Sequence, residues 1–317
     1  QRAAVPDKTE LDVWFDRARA SETADAGAPD VLDSLAGGYT GALATIEGGP
    51  GPTIALRVDI DGLPITESDD PAHVPTAEGF RSERDGYMHA CGHDAHATIG
   101  LGVARALAAD EEFAGTLKLI FQPAEERAAG GKPVAESGHL DDVDALLAVH
   151  IGLDHPTGEV VAGMGGFLAV AEFEAEFAGE SAHAGGQPNR GQNAVQAMAT
   201  AVQNLYAIPR HEDGPTRVNA GRVGGGTASN IIPEDAFIHG EVRGATTELM
   251  EYTRERAAQV IESAAEMHGC TAAVDWGPEA PSAESDERLV DHVAGVAAAN
   301  ERVEQVTRRD TLDGSED

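Results

Sequence analysis

Two apolar runs in the first half of the chain are typical of strands that are buried on both faces. TIALRVD, residues 53–59, runs into the turn sequence DGLP, and GTLKLIFQ, residues 115–122, is broken by Pro123. A third run, DALLAVH at residues 144–150, predicts another strand, and apolar spacing predicts a helix over residues 95–109. Because strands and helices alternate, we predict an α/β fold with a parallel sheet.

The second half has a different order of elements. The pattern predicts strands at residues 167–178, 216–223, 236–243 and 271–276, and helices at residues 193–207, 247–267 and 287–300. The order β-α-β-β-α-β within this set is the ferredoxin-like arrangement. We therefore predict an inserted α+β domain, residues 165–277, within a first domain made of residues 1–164 and 278–317. The opening of that first domain carries helix-like patches at residues 11–20 and 31–35.

The segment MHACGHDAHATIGLG, residues 88–102, concentrates metal-binding side chains just before an apolar, helix-like run. They are Cys91, His93, Asp94 and His96, with Gly92 between the first two. Thiolate, imidazole and carboxylate together suit zinc or a similar divalent transition metal. A lone Cys or His is more often a core or solvated residue, Asp94 could simply cap the helix, and His96 could support the site without touching metal. Packing does not explain four such groups around one glycine, so the segment predicts a metal site.

Polar side chains also follow the three predicted strands of the first half. Asp59 and Asp61 end the first, Glu125 and Glu126 follow the second, and His150 ends the third. Parallel sheets place their chemistry beyond the carboxyl ends of the strands, so we expect these side chains to converge on the cysteine–histidine segment. The alternatives are a solvated acidic turn for the glutamates and a capping role for the aspartates.

Composition restricts the partners. The chain has 317 residues, 41% of them hydrophobic, which is enough for two domains with a sizeable core. Its 55 acidic and 22 basic residues give a net charge of −33, which disfavours nucleic acid and anionic membranes by repulsion. Two cysteines are too few for a disulfide framework, and no run has membrane-spanning length or the pattern of a signal peptide. These features predict a cytoplasmic protein.

The charge pattern also predicts adaptation to salt. Only three of the basic residues are lysines: Lys8, Lys118 and Lys132. Self-repulsion of this size needs screening by salt if the compact state is to be stable. Disorder is the competing explanation, but the well-patterned apolar runs speak against it. We therefore predict a halophilic protein, from a haloarchaeal source.

Several segments together resemble the aminoacylase and carboxypeptidase family of metallohydrolases. They are RVDIDGLPITE, HACGHDAHATIG, FQPAEE, AVHIG, HAGGQP, ASNIIP and GEVRG. Within that family they are similar to the amidohydrolase branch of hippurate, aminobenzoyl-glutamate and auxin-conjugate hydrolases. The resemblance, which covers residue 53 to the C-terminus, implies a zinc-peptidase-like catalytic domain with an inserted lid that also forms a homodimer. It implies hydrolysis of the amide bond in N-acyl amino acids or related peptides.

The resemblance also implies roles for single residues. The metal ligands would be Cys91, His93, Glu126 and His150, holding two divalent ions of zinc, manganese or cobalt. Glu125 would be the general base that takes a proton from the attacking water, and Asp59 and Asp61 would orient the ligands. In the lid, Arg243 would clamp a substrate carboxylate, and His183 and Asn230 would meet the scissile carbonyl or its oxyanion, with His183 donated across the dimer.

Two departures from the family leave other functions open. The family's N-terminal His-Pro-Glu segment has no counterpart, and a further metal-ligand His is expected beyond Asp317, so we expect a trimmed form of a longer protein. One alternative is a cysteine hydrolase with Cys91 as nucleophile and His93 as base, although groups two residues apart rarely meet in that geometry. The other is a non-catalytic binding protein on a degenerate hydrolase scaffold.

The charge generates a first prediction. The Debye length falls from about 30 Å at ten millimolar salt to roughly 3 Å at molar salt, so the repulsion of a −33 chain is progressively screened. The melting temperature should therefore rise steeply across a potassium chloride series, and light scattering should show any dimer dissociating at low salt. A melting temperature that stays flat across the series would contradict the halophilic interpretation.

Overall fold

The computed structural model describes residues 40–312 and 314–317, together with the isolated positions 13, 16, 33, 36 and 37. The helix-like patches near the N-terminus therefore fall outside the described residues, apart from single positions. The chain forms two compact units, one ending at His155 and the other beginning at Pro156. The domain boundaries given above stay predictions, and each unit is described by itself.

The first unit is built on a four-stranded sheet. Its strands are β1 (Ala42–Gly49), β2 (Thr53–Asp59), β3 (Gly115–Gln122) and β4 (Ala145–Ala148), in the order β1-β3-β2-β4. β2 runs parallel to both β3 and β4, whereas β1 is antiparallel to β3. The predicted parallel arrangement is thus confirmed, and the carboxyl ends of the three parallel strands lie at one edge of the sheet.

β1 was not predicted from the sequence. All but one of its residues are exposed, and only Ile46 is partly packed on the core around Leu119. The sequence of a strand that packs so weakly shows neither the alternating apolar and polar residues of a half-buried strand nor the continuous apolar residues of a fully buried one. β2 differs because its last five residues are buried, which explains why its sequence was readable.

In the part of this unit that the structure describes, the sheet is accompanied by the helices α1 (Val74–Glu78), α2 (His93–Ala108) and α3 (Gly131–Glu136). α2 begins two residues earlier than predicted, because Gly92 takes a left-handed conformation with φ 81° at the N-cap. The helix lies close against β2: a Cβ built at Gly100 would be 3.0 Å from Cγ2 of Val58. His93 and His96 are buried as a result, at 1% and 0% exposure.

The second unit contains the remaining elements. They are β5 (Glu159–Val161), β6 (Met164–Gly165), β7 (Ala169–Ala178), β8 (Ala182–His183), α4 (Ala194–Leu205), β9 (Thr216–Gly225), β10 (Ile231–Ile232), β11 (Asp235–Gly244), α5 (Thr247–Met267), β12 (Thr271–Ala280), α6 (Glu287–Ala298), β13 (Gln305–Thr307) and β14 (Asp310–Thr311). β7, β9, β11 and β12 form an antiparallel sheet in the order β12-β7-β11-β9. β11 therefore lies between β7 and β9, which are joined through α4, and this split βαβ topology confirms the predicted ferredoxin-like arrangement.

The core of this unit lies between the sheet and the helices α4 and α5. Phe173, Ile238 and Ile261 come from β7, β11 and α5, and all are buried. β7 alternates buried and exposed residues along its second half, which is the pattern that made it predictable. Among the described residues, no helix has both the length and the apolar character needed to cross a membrane.

Candidate metal centre

His93 lies at the centre of the cluster that the sequence predicted. Its Nδ1 is 3.1 Å from Oδ1 of Asp61, so Nδ1–H donates to that carboxylate and the Nε2 lone pair points away from it. Nε2 lies 3.7 Å from Oε1 of Glu126 and 3.8 Å from Oε2 of Glu125. His93 Nε2 and Glu126 Oε1 are both buried, and neither has a hydrogen-bond partner among the described residues. Two buried acceptors that face each other are expected to share a cation.

Cys91 and His150 extend this cluster. Nδ1 of His150 donates to the carbonyl of Ile151 at 2.8 Å, which leaves Nε2 as the acceptor, 3.5 Å from Sγ of Cys91. Ligand atoms of Cys91, His93 and His150 lie within 4.8 Å of one another, and so do those of His93, Glu125 and Glu126. The two groups share His93. A mixture of sulfur, imidazole nitrogen and carboxylate oxygen suits zinc and similar transition metals.

Without a bound cation, the surroundings of the cluster disfavour the ionised forms of Cys91 and Glu126. Burial, with the charges of Glu126 and Glu125, raises the pKa of the Cys91 thiol to about 11. Burial also raises the pKa of Glu126, helped by Asp61 and Asp59 and opposed by His93. A bound divalent cation would lower these pKa values instead, because it favours the deprotonated form of each ligand. The residues present therefore fit a metal.

The turn after β3 fixes the two carboxylates. Glu125 opens a 3₁₀ turn, Glu125–Arg127, that is flanked by Ala124 and Ala128 in left-handed conformations with φ 60° and 46°. The backbone N–H of Glu126 donates to Oδ2 of Asp61 at 3.1 Å, which ties the turn to the end of β2. A Cβ at Gly130 would lie 1.8 Å from the carbonyl oxygen of Pro123, so glycine is required there. The solvated acidic turn considered above does not describe this geometry.

Asp59 and His96 form a separate buried pair beneath the cluster. Oδ1 of Asp59 is 2.5 Å from Nδ1 of His96, and its Oδ2 accepts from Nη1 of Arg57 at 2.9 Å. Nδ1 of His93 is farther away, at 3.8 Å. Burial raises the pKa of Asp59, but the hydrogen bond from His96 and the charge of Arg57 outweigh it, so the pKa lies below its usual value. Asp61 thus contacts a predicted ligand, whereas Asp59 bonds mainly to His96 and Arg57.

The three lid residues lie in the second unit. His183 and Asn230 come together through the ribbon of β8 and β10, in which the N–H of Ala184 donates to the carbonyl of Asn230 at 3.0 Å. Nδ1 of His183 accepts from the backbone N–H groups of Gly185 and Gly186 at 3.1 and 3.0 Å, so the ring proton is on Nε2.

Arg243 lies on β11, where its guanidinium already holds a carboxylate. Nε and Nη2 donate to the two oxygens of Glu241 at 2.9 and 3.1 Å, and Nη1 donates to Oγ of Ser315. The guanidinium thus makes a bidentate pair with a carboxylate of its own strand. A substrate carboxylate would have to replace Glu241.

Sequence reasoning missed two residues that support the site. Arg57 is 5% exposed in the middle of β2, and its Nε donates to Oε1 of Gln122, at the end of β3, at 3.0 Å. A charged residue inside an otherwise apolar strand is the one signal that could have identified Arg57, because a buried guanidinium needs a partner. Gln122 offered no such signal.

Comparison with known proteins agrees with this geometry. The chain is 42% identical over 320 residues to the indole-3-acetyl-aspartic acid hydrolase of Enterobacter agglomerans, a match that covers 100% of this chain and 72% of that protein. The crystal structure of the aminobenzoyl-glutamate utilization protein from Klebsiella pneumoniae matches with a TM-score of 0.80 and 36% identity, over 100% of this chain and 73% of that one.

A second solved structure is that of a metal-binding protein. It is a dinuclear metal-binding peptidase of the M20 family from Bacillus subtilis, with a TM-score of 0.67 and 31% identity, over 98% of this chain and 78% of that one. The family model of peptidase family M20/M25/M40 matches residues 55–317, which include both the metal-type cluster and the ferredoxin-like domain. The chain therefore belongs to peptidase family M20/M25/M40.

Proposed function

We propose that the protein is a metal-dependent amidohydrolase that cleaves the amide bond of N-acyl amino acids. The observation that carries this proposal is the pair of buried acceptors, His93 Nε2 and Glu126 Oε1, that face each other without a hydrogen-bond partner among the described residues. Relatives whose names describe hydrolysis of an acyl–amino acid conjugate support the reaction.

Four side chains would hold the metal: Cys91, His93, Glu126 and His150. We propose two ions per subunit, of zinc, manganese or cobalt, in keeping with the dinuclear relative and with the sulfur, nitrogen and oxygen donors present. When bound, such ions would lower the pKa of a bound water molecule toward neutral pH and would polarise the amide carbonyl. Asp61 holds the ring of His93 with Nε2 directed at the carboxylates.

Glu125 is the proposed general base. Its side chain is 12% exposed, and its Oε2 lies 3.8 Å from the ligand atom of His93, beside the other predicted ligands. A carboxylate in this position can take the proton of the attacking water and pass it to the leaving amine. The strained turn around it keeps that oxygen in place relative to Glu126.

Substrate contacts are proposed for the second unit. His183 presents Nε2–H, the correct tautomer to donate to a carbonyl oxygen or oxyanion, with Asn230 as its neighbour. We propose that His183 acts across a homodimer of lid domains. β9 supports the dimer because it is an edge strand, with no neighbour on its outer side among the described residues and with Val223 48% exposed. The cytoplasmic location and the halophilic character stay predictions.

Chelation tests the proposed reaction directly. Hydrolysis of N-acyl amino acids should disappear after treatment with a chelator, because the groups around His93 cannot activate water alone, and should return with zinc, manganese or cobalt. Turnover and metal content are measured before and after chelation in molar salt. Metal that binds without any turnover on a panel of acyl amino acids would favour the non-catalytic binding protein.

Changing Glu125 to Gln separates base from ligand. The substitution keeps the size of the side chain but removes its basicity, so kcat should fall by about a hundredfold or more while metal content is unchanged. Glu126→Gln is the matched control in the same turn, and it should lose metal. If Glu125→Gln loses metal and Glu126→Gln keeps it, the roles of the two glutamates are reversed.

The structure argues against Cys91 as a nucleophile, and alkylation tests this. A thiol whose pKa is raised to about 11 is protonated at neutral pH, whereas nucleophilic cysteines have lowered pKa values. In metal-free protein at pH 8, about one thiol in a thousand is ionised, so iodoacetamide should react slowly and about tenfold faster per pH unit up to about 11. Cys91→Ser measures the background from Cys270. Rapid alkylation at pH 7 together with chelator-resistant turnover would support the cysteine mechanism instead.

A further inference from the structure

His96 resembles a metal ligand in the sequence, but its ring has no free nitrogen. Nδ1 is 2.5 Å from Oδ1 of Asp59, and Nε2 is 2.9 Å from the backbone nitrogen of Ile151. Since a carboxylate accepts and a backbone N–H donates, the proton is on Nδ1 and the Nε2 lone pair is engaged by Ile151. The side chain is fully buried in this arrangement.

His150, in contrast, lies where the sheet no longer fixes the backbone. Among the described residues β4 pairs with β2 alone and is an edge strand, and its last paired residue is Ala148, opposite Arg57. The residues after His150 turn sharply: Gly152, Leu153 and Asp154 all have positive φ, at 77°, 53° and 66°. A ligand between the end of a ladder and a left-handed turn needs another contact to hold it.

His96 supplies that contact. Its ring centroid is 4.6 Å from that of His150, with the planes at 63°, and its Nε2 accepts the N–H of the next residue, Ile151. Ile151 also packs over the start of α2, because a Cβ at Gly92 would be 2.8 Å from its Cδ1 and Cγ1. The segment that carries His150 is therefore attached to α2 at the level of His96.

Asp59, which accepts from His96, makes a further hydrogen bond that links it to the strands of the sheet. Oδ2 of Asp59 accepts from Nη1 of Arg57, and Nε of Arg57 donates to Gln122. This buried chain of hydrogen bonds crosses from β3 through β2 to α2 and ends at the loop after β4. The side chains of Arg57, Asp59, His96 and Gln122 are nearly inaccessible to solvent, so the bonds among them are made in a low-dielectric environment where a lost partner is costly.

We propose that His96 is a positioning residue: with Asp59 as its anchor, it holds the amide of Ile151 and so places Nε2 of His150 beside Sγ of Cys91. This inference rests on the proposed function, because it takes His150 as a metal ligand. It assigns the last histidine of HACGHDAH to the support of the site and separates it from His93, one helical turn earlier.

Two amide substitutions test the proposal. In His96→Asn, the side-chain nitrogen can replace Nδ1 toward Asp59, but nothing reaches Ile151; in His96→Gln, the amide oxygen can take the place of Nε2. Cobalt affinity is measured by equilibrium dialysis of chelator-treated protein, and folding by metal-free thermal melting. We expect His96→Asn to bind cobalt about 10- to 100-fold more weakly, the range for loss of a ligand's support. His96→Gln should bind cobalt more tightly than His96→Asn, because it keeps an acceptor for Ile151 although it leaves Asp59 without the donor at Nδ1.

Leu119→Ala is the control for a general loss of stability. Leu119 is fully buried in the same sheet, and its apolar side chain takes no part in the hydrogen bonds described above. It should lower the melting temperature without weakening cobalt binding. Unchanged affinity in His96→Asn, or equal weakening in all three variants, overturns the positioning role while leaving the metal centre intact. Failure of the unchanged protein to bind cobalt overturns the metal centre itself.

A second measurement needs no variant. Long-range ¹⁵N–¹H spectra of the histidine rings, recorded while zinc is added to the chelator-treated protein, report which nitrogen is coordinated. The Nε2 resonances of His93 and His150 should move to positions typical of coordinated nitrogen, whereas His96 should keep the pattern of an Nδ1–H imidazole that accepts a hydrogen bond. Coordination of zinc by Nε2 of His96 would overturn the proposal.

Discussion

The burial of ionisable groups at one edge of a single sheet is the constraint on which the first unit depends. Arg57, Asp59, His93 and His96 are each at most 5% exposed, although charged groups are rarely buried without partners. Three of them satisfy one another, through the bonds of Asp59 to Arg57 and to His96. His93 is the exception, because one of its nitrogens is satisfied by Asp61 and the other faces carboxylates. Nε2 of His93 is therefore the end of the network that has no hydrogen-bond partner among the described residues, which is why we propose the cation there.

This division explains why two histidines of one motif make different contacts. His93 and His96 lie one turn apart on α2 and present neighbouring rings, with centroids 5.4 Å apart. The difference comes from the strands beneath them: Asp59 ends β2 and reaches His96, whereas Asp61, two residues on, reaches His93. Each imidazole thus has a carboxylate on Nδ1, and the role of Nε2 depends on what lies opposite, a backbone N–H or a pair of glutamates.

Most of the predictable strands are those whose burial shows in the local sequence pattern; β4 was found from its apolar run although three of its four residues are exposed. β2 and β3 are buried along most of their length, and β7 alternates, so their spans were found within a few residues. β1 is exposed, and β5, β6, β13 and β14 have two or three residues each, too few for any periodicity. The ferredoxin-like order followed from element order alone, because that sequence of strands and helices has few compact solutions.

The site was predictable to the level of residue type and strand end, and no further. That Cys91, His93, Glu126 and His150 converge follows from parallel strands whose carboxyl ends share an edge. The sequence could not show that Asp59 is hydrogen-bonded to His96, since Asp59 and Asp61 have the same local context. They lie only two residues apart at the end of β2, and this small difference decides which histidine of the helix each one contacts.

The positions of Arg57 and Gln122 carry the argument further. The hydrogen bond from His96, and after it the charge of the buried Arg57, lower the pKa of Asp59 against the opposing effect of burial. An ionised Asp59 can only accept from His96, so the ring proton of His96 is on Nδ1. Residues of β2 and β3 therefore determine the tautomer of His96. The proton is on Nδ1, and Nε2 is left to accept a hydrogen bond from the loop after β4. Arg57, Asp59 and Gln122 thus lie on the two buried strands β2 and β3, whereas the proposed ligand His150 lies in the irregular segment after β4, so the proposed positioning by His96 would extend order from the core of the sheet to that segment.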